Sequence, residues 1–359
     1  MRAAAITPGK KDSLDVIDVD QPRPGDGEVL VRMLEAGVCG TDEELNSGII
    51  GEAPPGSDYL IIGHENLGVV DEAGRDVRAL RRGDLVVATV RRACPGMCFG
   101  CRTGQPDMCE SDDYFERGIK GMHGYMAEYY IEHPENLIQV PPSLRKIAVL
   151  LEPLSIVEKG IEQAIKIQER MIWHPRRALV AGAGPIGLLA ALILRDTGLE
   201  VSTFATRGME SLKARIAGAA GIDYFNVKET PIEQIVEKQG PLDMIVEATG
   251  SSEIAFKSIG LVSNNGIVCL TGLSPQQRTH PVCTDCVNMD LVMHNKAVFG
   301  TVSSNRVHFE RGLDRLASVE RRWPGLLERM FTRRVSLENV KEGLKEDKED
   351  IKILVEIGA

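Results

Sequence analysis

The sequence has no long apolar run and no dense cluster of basic residues. No segment reaches the roughly 18 consecutive apolar residues that a membrane-spanning helix requires, and residues 1–6 lack the apolar core of a signal peptide. Asp and Glu number 52 against 42 Lys and Arg, and the net charge of -10 disfavours a nucleic-acid or anionic-membrane partner. These absences predict a cytoplasmic protein that binds neither nucleic acid nor a membrane.

The chain is long enough for two domains of ordinary size. Its 359 residues are 43% hydrophobic and 26% charged, a balance typical of globular proteins. Short strand-like runs separated by Gly and Pro fill the first part, and strands alternate with helices after Pro175. This alternation indicates a doubly wound parallel sheet. We therefore predict an α/β protein with one domain at 1–172 and 304–359 and another at 173–303.

A glycine-rich segment in the second domain is typical of a dinucleotide-binding turn. Residues 182–187 read Gly-Ala-Gly-Pro-Ile-Gly, after a predicted strand at 178–181 and at the start of a predicted helix. The first glycine permits a tight turn, the second lets a pyrophosphate approach the backbone, and the third lets helix and strand pack closely. Free amides at the helix N-terminus then face the phosphates. The expected cofactor contacts are Gly182, Gly184, Pro185, Ile186 and Gly187.

The end of the next predicted strand, residues 201–204, favours NADP over NAD. NAD-binding proteins place a carboxylate near this point to bind the ribose 2′-hydroxyl. Here Thr206 offers a hydrogen-bond donor, and Arg207 offers a charged fork of donors suited to a 2′-phosphate. If Arg207 is only a solvent-exposed loop residue, Glu210 could instead bind the ribose 2′-hydroxyl of NAD.

Cysteine usage points to metal binding. A reducing compartment does not support disulfides, so the eight cysteines require another explanation. Four of them have a Cys-x3-Cys-x2-Cys-x7-Cys spacing, which can close a tetrahedral zinc shell and pin a lobe at 94–109. These four are Cys94, Cys98, Cys101 and Cys109. The alternatives to a zinc site are two pairs of buried free cysteines or a redox-active cysteine pair. Nothing near Cys283 and Cys286 completes a shell, so local packing is the expected role of that pair.

A second, dispersed set of residues predicts a catalytic metal site. Cys39 lies in Gly-Val-Cys-Gly-Thr-Asp, and His64 and Glu65 follow in Gly-His-Glu. Much later, Glu152 lies in Leu-Glu-Pro-Leu. A lone Cys or His is more often structural than a ligand, but this combination precedes a dinucleotide-binding segment. A thiolate, an imidazole and a carboxylate give zinc three protein ligands and leave one position for water or substrate.

Together these segments resemble the zinc-containing medium-chain dehydrogenases over nearly the whole chain. Within that family the chain is most similar to the glucose 1-dehydrogenases known chiefly from archaea. The closer likeness lies in segments 83–92, 115–126, 151–159, 264–266 and 307–309. The resemblance implies a GroES-like β-rich catalytic domain, a Rossmann cofactor domain and two zinc ions per chain.

The resemblance also implies roles for single residues. Cys39, His64 and Glu65 would hold the catalytic zinc, with Glu152 a ligand or a partner through water. The proton would leave through Thr41, a zinc-bound water or Glu152. The implied sugar contacts are Thr41, Glu116, Glu152 and Ser303. Beyond the glycine turn, the implied cofactor contacts are Thr206, Arg207, Thr249, Gly250, Leu270 and Gly272.

Several positions depart from the family pattern. The cysteine lobe has one residue more than the common Cys-x2-Cys start. Val90 stands where some relatives carry a sugar-binding Asn, and Ser303 replaces another polar contact. Residues 42–45 read Asp-Glu-Glu-Leu, where alcohol dehydrogenases of the family often place a proton-relay His. These departures leave the preferred hexose open and argue against simple alcohols as substrates.

The predicted reaction is oxidation of the C1 hydroxyl of D-glucose, galactose or another aldose to the lactone by zinc-assisted hydride transfer. NADP is the preferred cofactor and NAD the alternative, and the resemblance implies a homodimer or homotetramer. A sorbitol-type polyol dehydrogenase or an L-threonine dehydrogenase on the same scaffold is the main alternative. A zinc-free quinone reductase or a non-catalytic crystallin-like binder is disfavoured, because such proteins lack the zinc ligands that this sequence contains. A nucleic-acid-binding zinc module would need a denser basic face.

Overall fold

Short strands fill the chain up to residue 140, and strands alternate with helices from residue 177 onward. The computed structural model describes residues 1–274, 279–345, 347 and 349–358. The strands are β1 (Arg2–Ile6), β2 (Asp15–Asp18), β3 (Val29–Val38), β4 (Leu60–Ile61), β5 (Glu65–Ala73), β6 (Leu85–Ala88), β7 (Arg91–Arg92), β8 (Phe115–Arg117), β9 (Gly121–Met122), β10 (Tyr129–Glu132), β11 (Leu137–Val140), β12 (Arg177–Ala181), β13 (Glu200–Ala205), β14 (Asp223–Asn226), β15 (Met244–Glu247), β16 (Ile267–Leu270), β17 (Ala297–Gly300), β18 (Phe331–Ser336) and β19 (Lys352–Glu356). The helices are α1 (Gly40–Asn46), α2 (Phe99–Arg102), α3 (Leu151–Gln168), α4 (Pro185–Asp196), α5 (Leu212–Ala219), α6 (Ile232–Gln239), α7 (Ser252–Leu261), α8 (Thr284–Met293), α9 (Arg306–Arg322) and α10 (Val340–Gly343).

The chain divides into two units. Unit 1 comprises Met1–Ser155, Ser303–Ala317 and Met330–Ala359, and unit 2 comprises Ile156–Val302 and Ser318–Arg329. The first boundary falls inside α3, because this helix continues without a break through residue 155. The change in composition near Pro175, on which the predicted division rests, comes only after that helix has ended.

Unit 1 is built on a seven-stranded sheet. Its strand order is β11-β6-β5-β3-β19-β18, and β10 also pairs with β3. Every residue of β3 except Arg32 is buried, which explains its nearly continuous apolar sequence. Val31 and Met33 of β3 pack in the core with Val86 of β6 and Val355 of β19. This core holds the ends of β3 and β5, next to which Cys39 and His64 lie.

Unit 2 is built on a six-stranded parallel sheet with the order β14-β13-β12-β15-β16-β17. The chain starts at the centre, runs outward to one edge and then returns to build the other half. This is the doubly wound order of dinucleotide-binding domains, with its switch point between β12 and β15. Leu179, Ile245 and Val268 from three neighbouring strands share one apolar core. The predicted α/β fold with a doubly wound parallel sheet is confirmed.

The C-terminal segment differs from the sequence-based expectation. It is predicted to be helical from about Val307 until the final strand, and α9 accounts for the first part. However, β18 follows and pairs in parallel with β19. The alternation of Phe331, Arg333 and Val335 with polar neighbours is short, so its strand signal is weak in isolation. Pairing with the buried β19 stabilises a strand where local sequence alone does not specify one.

The expectation that the cysteines form no disulfide is wrong for one pair. Cys283 and Cys286 are joined by a disulfide at the start of α8, with their Cα atoms 5.3 Å apart. Their separation by three residues across a first helical turn brings the two side chains within bonding reach. The other six cysteines are free. No helix among the described residues is long and apolar enough to cross a membrane.

Candidate active site

Two neighbouring strands of unit 1 bring Cys39 and His64 together. Cys39 follows the last residue of β3, His64 precedes the first residue of β5, and Gly37 lies opposite Glu65 in the register of these strands. Cys39 Sγ consequently lies 3.2 Å from His64 Nε2. A methyl group at Gly37 would collide with the Glu65 carboxylate, so glycine is required for this close approach. Strand pairing therefore joins two motifs that are separated in the sequence.

The Glu65 carboxylate forms a buried ion pair with Lys352. Lys352 Nζ lies 2.6 Å and 2.7 Å from the two carboxylate oxygens and also donates to the Val38 carbonyl at 3.1 Å. The side chains are 2% and 1% exposed. Burial alone would lower the pKa of Lys352, but Glu65 raises it above its usual value. The pairing of β19 with β3 brings this lysine to the site.

The donor atoms of Cys39, His64 and Glu65 lie within 4.8 Å of one another. Burial raises the pKa of the Cys39 thiol. Burial alone would lower the pKa of His64, but neighbouring Cys39 raises it well above its usual value. Asp42 Oδ1 and His64 Nδ1 are buried without a hydrogen-bond partner among the described residues, as expected where water or an ion completes a site. The donor set fits zinc, and its assignment as a catalytic zinc site stays a prediction.

Glu152 lies in the first turn of α3 and is 5% exposed. Burial raises the pKa of its carboxyl to about 7; the charge of His64 opposes this effect, and that of Glu65 adds to it. These interactions place Glu152 beside the other three predicted ligands. Its carboxylate nevertheless lies outside the group within 4.8 Å. The structure therefore leaves room for the predicted contact through water.

Three predicted sugar contacts lie on different elements of unit 1. Thr41 is half-buried in the first turn of α1, and Glu116 lies on β8. Arg91 donates to Glu116 Oε1 at 2.9 Å. Ser303 is buried with φ of 58°, in the left-handed region that few residues other than glycine adopt. The charges of Glu116 and Glu152 interact, so Glu116 is also near the candidate metal site.

The four predicted structural ligands converge in the cysteine lobe, residues 94–109. Their sulfur atoms all lie within 4.8 Å of one another. The amides of Cys94 and Cys98 donate to the sulfurs of Cys101 and Cys94 at 3.4 Å and 3.3 Å. The Cys98 amide lowers the pKa of Cys94 to about 6, whereas burial raises that of Cys101 to about 12.

The cysteine lobe also fits a metal because it has little apolar core. Its larger hydrophobic side chains, Met97, Phe99 and Met108, are 45%, 64% and 50% exposed. A segment that buries so little apolar surface needs another source of stability, and a zinc ion held by four thiolates supplies it. The assignment of a structural zinc ion to this lobe stays a prediction.

The glycine turn of unit 2 has the geometry of a dinucleotide-binding turn. Gly182 follows β12 with φ of 106°, and Gly184 is the N-cap of α4. A methyl group at Gly187 would collide with the Gly182 carbonyl, so the third glycine allows helix and strand to approach. At Gly184 a methyl group would meet open space. This space adjoins the first amides of α4, where a phosphate group is stabilised.

The remaining predicted cofactor contacts follow the carboxyl ends of unit 2 strands. Thr206 is exposed and Arg207 is half-buried beyond β13, and Tyr224 Oη donates to the Arg207 carbonyl at 3.1 Å. The Thr249 amide donates to Glu247 Oε1 at 2.7 Å. Leu270 ends β16, and Gly250 and Gly272 lie beside each other, since a methyl group at Gly272 would collide with the Gly250 amide. In open α/β sheets, ligands bind at this edge.

Sequence reasoning missed three buried charged residues that support the candidate sites. Lys352 pairs with Glu65, Arg91 pairs with Glu116, and Glu247 accepts hydrogen bonds from Thr249. The signal for Lys352 is a charged residue between apolar neighbours, Ile351 and Ile353, at the start of the C-terminal strand. A buried lysine requires a partner carboxylate. The sequence alone, however, does not identify which carboxylate it meets.

Comparisons with known proteins agree on one family. The family described as "Glucose dehydrogenase C-terminus" matches residues 145–357, and "Alcohol dehydrogenase GroES-like domain" matches residues 25–142. A glucose 1-dehydrogenase of Methanocella arvoryzae is 88% identical over 359 residues, covering all of both chains. A glucose 1-dehydrogenase of Caldivirga maquilingensis is 41% identical over 99% of each chain. Haloferax mediterranei glucose dehydrogenase, solved in complex with NADP, Zn and gluconolactone, is 34% identical, has a TM-score of 0.92 and matches the full length of both chains. The chain therefore belongs to the glucose dehydrogenase family of the zinc-containing medium-chain dehydrogenases.

Proposed function

We propose that this protein is an NADP-preferring, zinc-dependent glucose 1-dehydrogenase that oxidises the C1 hydroxyl of D-glucose to the lactone. The observation that carries this proposal is the convergence of Cys39, His64 and Glu65 in a chain 88% identical to a protein named glucose 1-dehydrogenase. The similar Haloferax mediterranei protein was solved with gluconolactone, the product expected from this reaction. Galactose and other aldoses are further candidate substrates.

Residues of unit 1 would bind the zinc ion and the sugar and would transfer the proton. Cys39, His64 and Glu65, with Glu152 directly or through water, would hold a zinc ion. When bound, zinc supplies Lewis acidity at the sugar hydroxyl, and NADP supplies a hydride acceptor. The hydroxyl proton would pass to the Glu152 carboxylate, which lies beside the predicted ligands, or would leave through Thr41, two residues beyond Cys39, whose hydroxyl would accept it and release its own proton to water. Glu116 and Ser303 would fix the sugar orientation through hydrogen bonds.

Unit 2 would bind NADP through the glycine turn and the ends of β13, β15 and β16. The open space at Gly184 suits the pyrophosphate. Thr206 and Arg207 stand where a carboxylate would favour NAD, and guanidinium donors suit a 2′-phosphate. Glu247 would hold Thr249 in place for the cofactor.

A polyol dehydrogenase of the sorbitol type and an L-threonine dehydrogenase are the competing activities, because the zinc ligands do not specify the substrate. Initial rates with glucose, galactose, xylose, sorbitol and threonine, each with NADP and with NAD, separate these activities. Highest kcat/KM for glucose with NADP is the expected result. A higher kcat/KM for sorbitol or threonine would overturn the proposal.

The Cys39→Ser variant tests the role of unit 1. We expect loss of one of two bound zinc ions and of activity, with the NADP dissociation constant within about twofold of the wild-type value, because thiolate is the stronger zinc ligand. Cys269→Ser, at a buried cysteine outside both metal-ligand groups, is the matched control. Wild-type turnover in Cys39→Ser would refute the site assignment.

The protein would also act in the cytoplasm as a homodimer or homotetramer. Six of the eight cysteines are free, which favours a reducing compartment, although the Cys283–Cys286 disulfide is not typical of one. β17 lies at the end of the six-stranded sheet and pairs only with β16 within the described chain. On α8, Met289, Val292 and Met293 are 64%, 68% and 69% exposed. An unpaired strand edge and exposed apolar side chains in the same unit favour association with a second copy of the chain.

A further inference from the structure

Arg91 connects the predicted sugar contact Glu116 to the cysteine lobe. The two residues lie opposite each other on β7 and β8, with Arg91 Nε 2.9 Å from Glu116 Oε1. Arg91 Nη1 also donates to the Asp107 carbonyl in the cysteine lobe at 3.4 Å. Its guanidinium carbon lies 3.8 Å from the centroid of the Tyr114 ring. With a side chain only 6% exposed, Arg91 is held on three sides and can hold Glu116 in one orientation.

Asp107 connects the same lobe to the loop that carries Ser303. Asn305 Nδ2 donates to Asp107 Oδ1 at 2.9 Å, and both residues are buried. Asn305 Oδ1 accepts a hydrogen bond from the Val307 amide at 3.0 Å at the start of α9. Ser303, two residues before Asn305, holds a left-handed backbone conformation that costs energy and needs support from its surroundings. The contact with the cysteine lobe supplies such support.

A third set of contacts ties this loop to Glu152. Ser304 Oγ lies 2.6 Å from Ser155 Oγ, and Ser155 Oγ donates to the Glu152 carbonyl at 2.6 Å. All three residues are buried. The loop at 303–305 is therefore fixed between the cysteine lobe and the first turn of α3. Displacement of the lobe would disturb this loop and Glu116 together.

We infer that the cysteine lobe acts in sugar recognition, and that Arg91 and Asn305 are positioning residues that hold Glu116 and Ser303 for the substrate. This inference rests on the proposed function, since it takes Glu116 and Ser303 as the sugar contacts. The stability of the lobe, which a structural zinc ion would supply, then contributes directly to substrate affinity. A purely structural lobe would affect stability and leave sugar affinity unchanged.

The test compares the zinc-loaded wild-type enzyme with the Arg91→Met variant, which keeps side-chain bulk and loses the charged hydrogen bonds. We expect the KM for glucose to rise about tenfold or more, because hydrogen bonds to charged groups are among the strongest in proteins. The KM for NADP and the content of two zinc ions should stay unchanged. Arg91→Lys keeps the charge without the planar fork and should give an intermediate KM. Unchanged glucose KM in Arg91→Met would overturn the inference.

A double-mutant cycle separates a positioning role from a general structural one. In the Glu116→Gln background, Arg91→Met should add little further increase in glucose KM, because Arg91 acts through the Glu116 carboxylate. If the effects of Arg91→Met and Glu116→Gln on the KM for glucose were fully additive, Arg91 would not act through Glu116. Asn305→Ala tests the proposed positioning of Ser303 by Asn305. It should raise the KM for glucose and leave the KM for NADP unchanged. A wild-type KM for glucose in this variant would overturn the role of Asn305.

Arg102→Met is the matched control, since Arg102 lies exposed on α2 of the same lobe, and it should keep the wild-type glucose KM. An equal rise in glucose KM for Arg102→Met would show that any change in the lobe has this effect and would overturn the assignment to Arg91. If the wild-type protein does not oxidise glucose, the proposed function itself fails. If it does and Arg91→Met keeps the same glucose KM, only the positioning role fails.

Discussion

At the scale of single residues, the most consequential feature is the buried pair of Glu65 and Lys352. Both carboxylate oxygens contact the ammonium group, and neither side chain is more than 2% exposed. A buried charge without its partner is strongly destabilising, whereas a complete pair is tolerated. Lys352 consequently supplies the partner charge of the buried Glu65 carboxylate within the candidate metal site.

In the metal-free protein, replacing Lys352 by Met should lower the free energy of unfolding by about 3 kcal/mol or more, because it leaves the Glu65 carboxylate buried and unpaired. Chemical denaturation at neutral pH measures this change. Lys345→Met is the matched control, since Lys345 pairs with Glu342 at an exposed position, and should change stability by less than about 1 kcal/mol. Equal losses in the two variants would show that the buried pair has no special role.

Arg207 carries the prediction for cofactor choice. Arg207→Ala should raise the KM for NADP about tenfold or more and change the KM for NAD much less, because only NADP has the 2′-phosphate that we propose the guanidinium binds. Steady-state kinetics with both cofactors check this outcome. Glu210→Gln is the control, since an effect on NAD alone would show that Glu210 serves the ribose. Equal changes for both cofactors in Arg207→Ala would refute phosphate recognition.

At the scale of elements, a buried charge cluster joins three strands of unit 1. Glu132 on β10 accepts hydrogen bonds from Arg117 on β8, at 2.9 Å, and from Arg92 on β7. Asn136 donates to the other carboxylate oxygen at 2.9 Å. Burial alone would raise the pKa of Glu132, but Arg117 and Arg92 outweigh it and lower the pKa to about 2. The cluster thus links β7 and β8, which form a three-stranded sheet with β9, to β10 of the seven-stranded sheet.

This pKa predicts a defined pH dependence of stability. The pKa of Glu132 is lower in the folded chain than the usual 4.5. The ionised carboxylate therefore stabilises the folded state fully above pH 4.5, and this stabilisation is lost as the pH falls toward 2. Glu132→Gln should therefore lower the free energy of unfolding at pH 7 by about 3 kcal/mol. The difference from wild type should shrink between pH 4.5 and pH 3 in denaturation experiments.

Glu128→Gln serves as the control for this pH dependence. Glu128 pairs with Arg2 near the protein surface, where ion pairs contribute at most about 1 kcal/mol. It should give a small stability change over the whole pH range. A pH-independent difference between Glu132→Gln and wild type would contradict the assigned role of the Glu132 carboxylate.

At the scale of the whole molecule, β17 and the exposed face of α8 predict assembly from copies of the chain. Val292→Glu should lower the mass of the assembly, because a two-fold contact would bring the introduced charges together without partners. Light scattering coupled to size-exclusion chromatography measures the mass. Phe256→Glu, at an apolar residue 49% exposed on α7, is the matched control and should keep the wild-type mass. A monomeric wild-type protein would refute the proposed assembly.

Features that depend on neighbouring residues can be predicted from the sequence. The alternation of strands and helices, the glycine turn at 182–187 and the four-cysteine spacing at 94–109 are each visible in short segments, because a turn or a closely spaced ligand set needs only residues that are near one another in the sequence. A metal site at Cys39, His64 and Glu65 is also predicted, from the joint occurrence of these residue types before a dinucleotide-binding segment and from the resemblance to a family. Their separation in the sequence contains no distance information.

Which distant side chains meet is visible only once the chain is folded. The pairing of β3 with β5 places Cys39 beside His64, and the pairing of β19 with β3 brings Lys352 to Glu65 across 287 residues. The same holds for Arg91, whose contacts with Glu116 and the cysteine lobe depend on the register of β7 and β8. Strand register depends on packing across the whole core, because a shift of one residue turns every side chain to the opposite face.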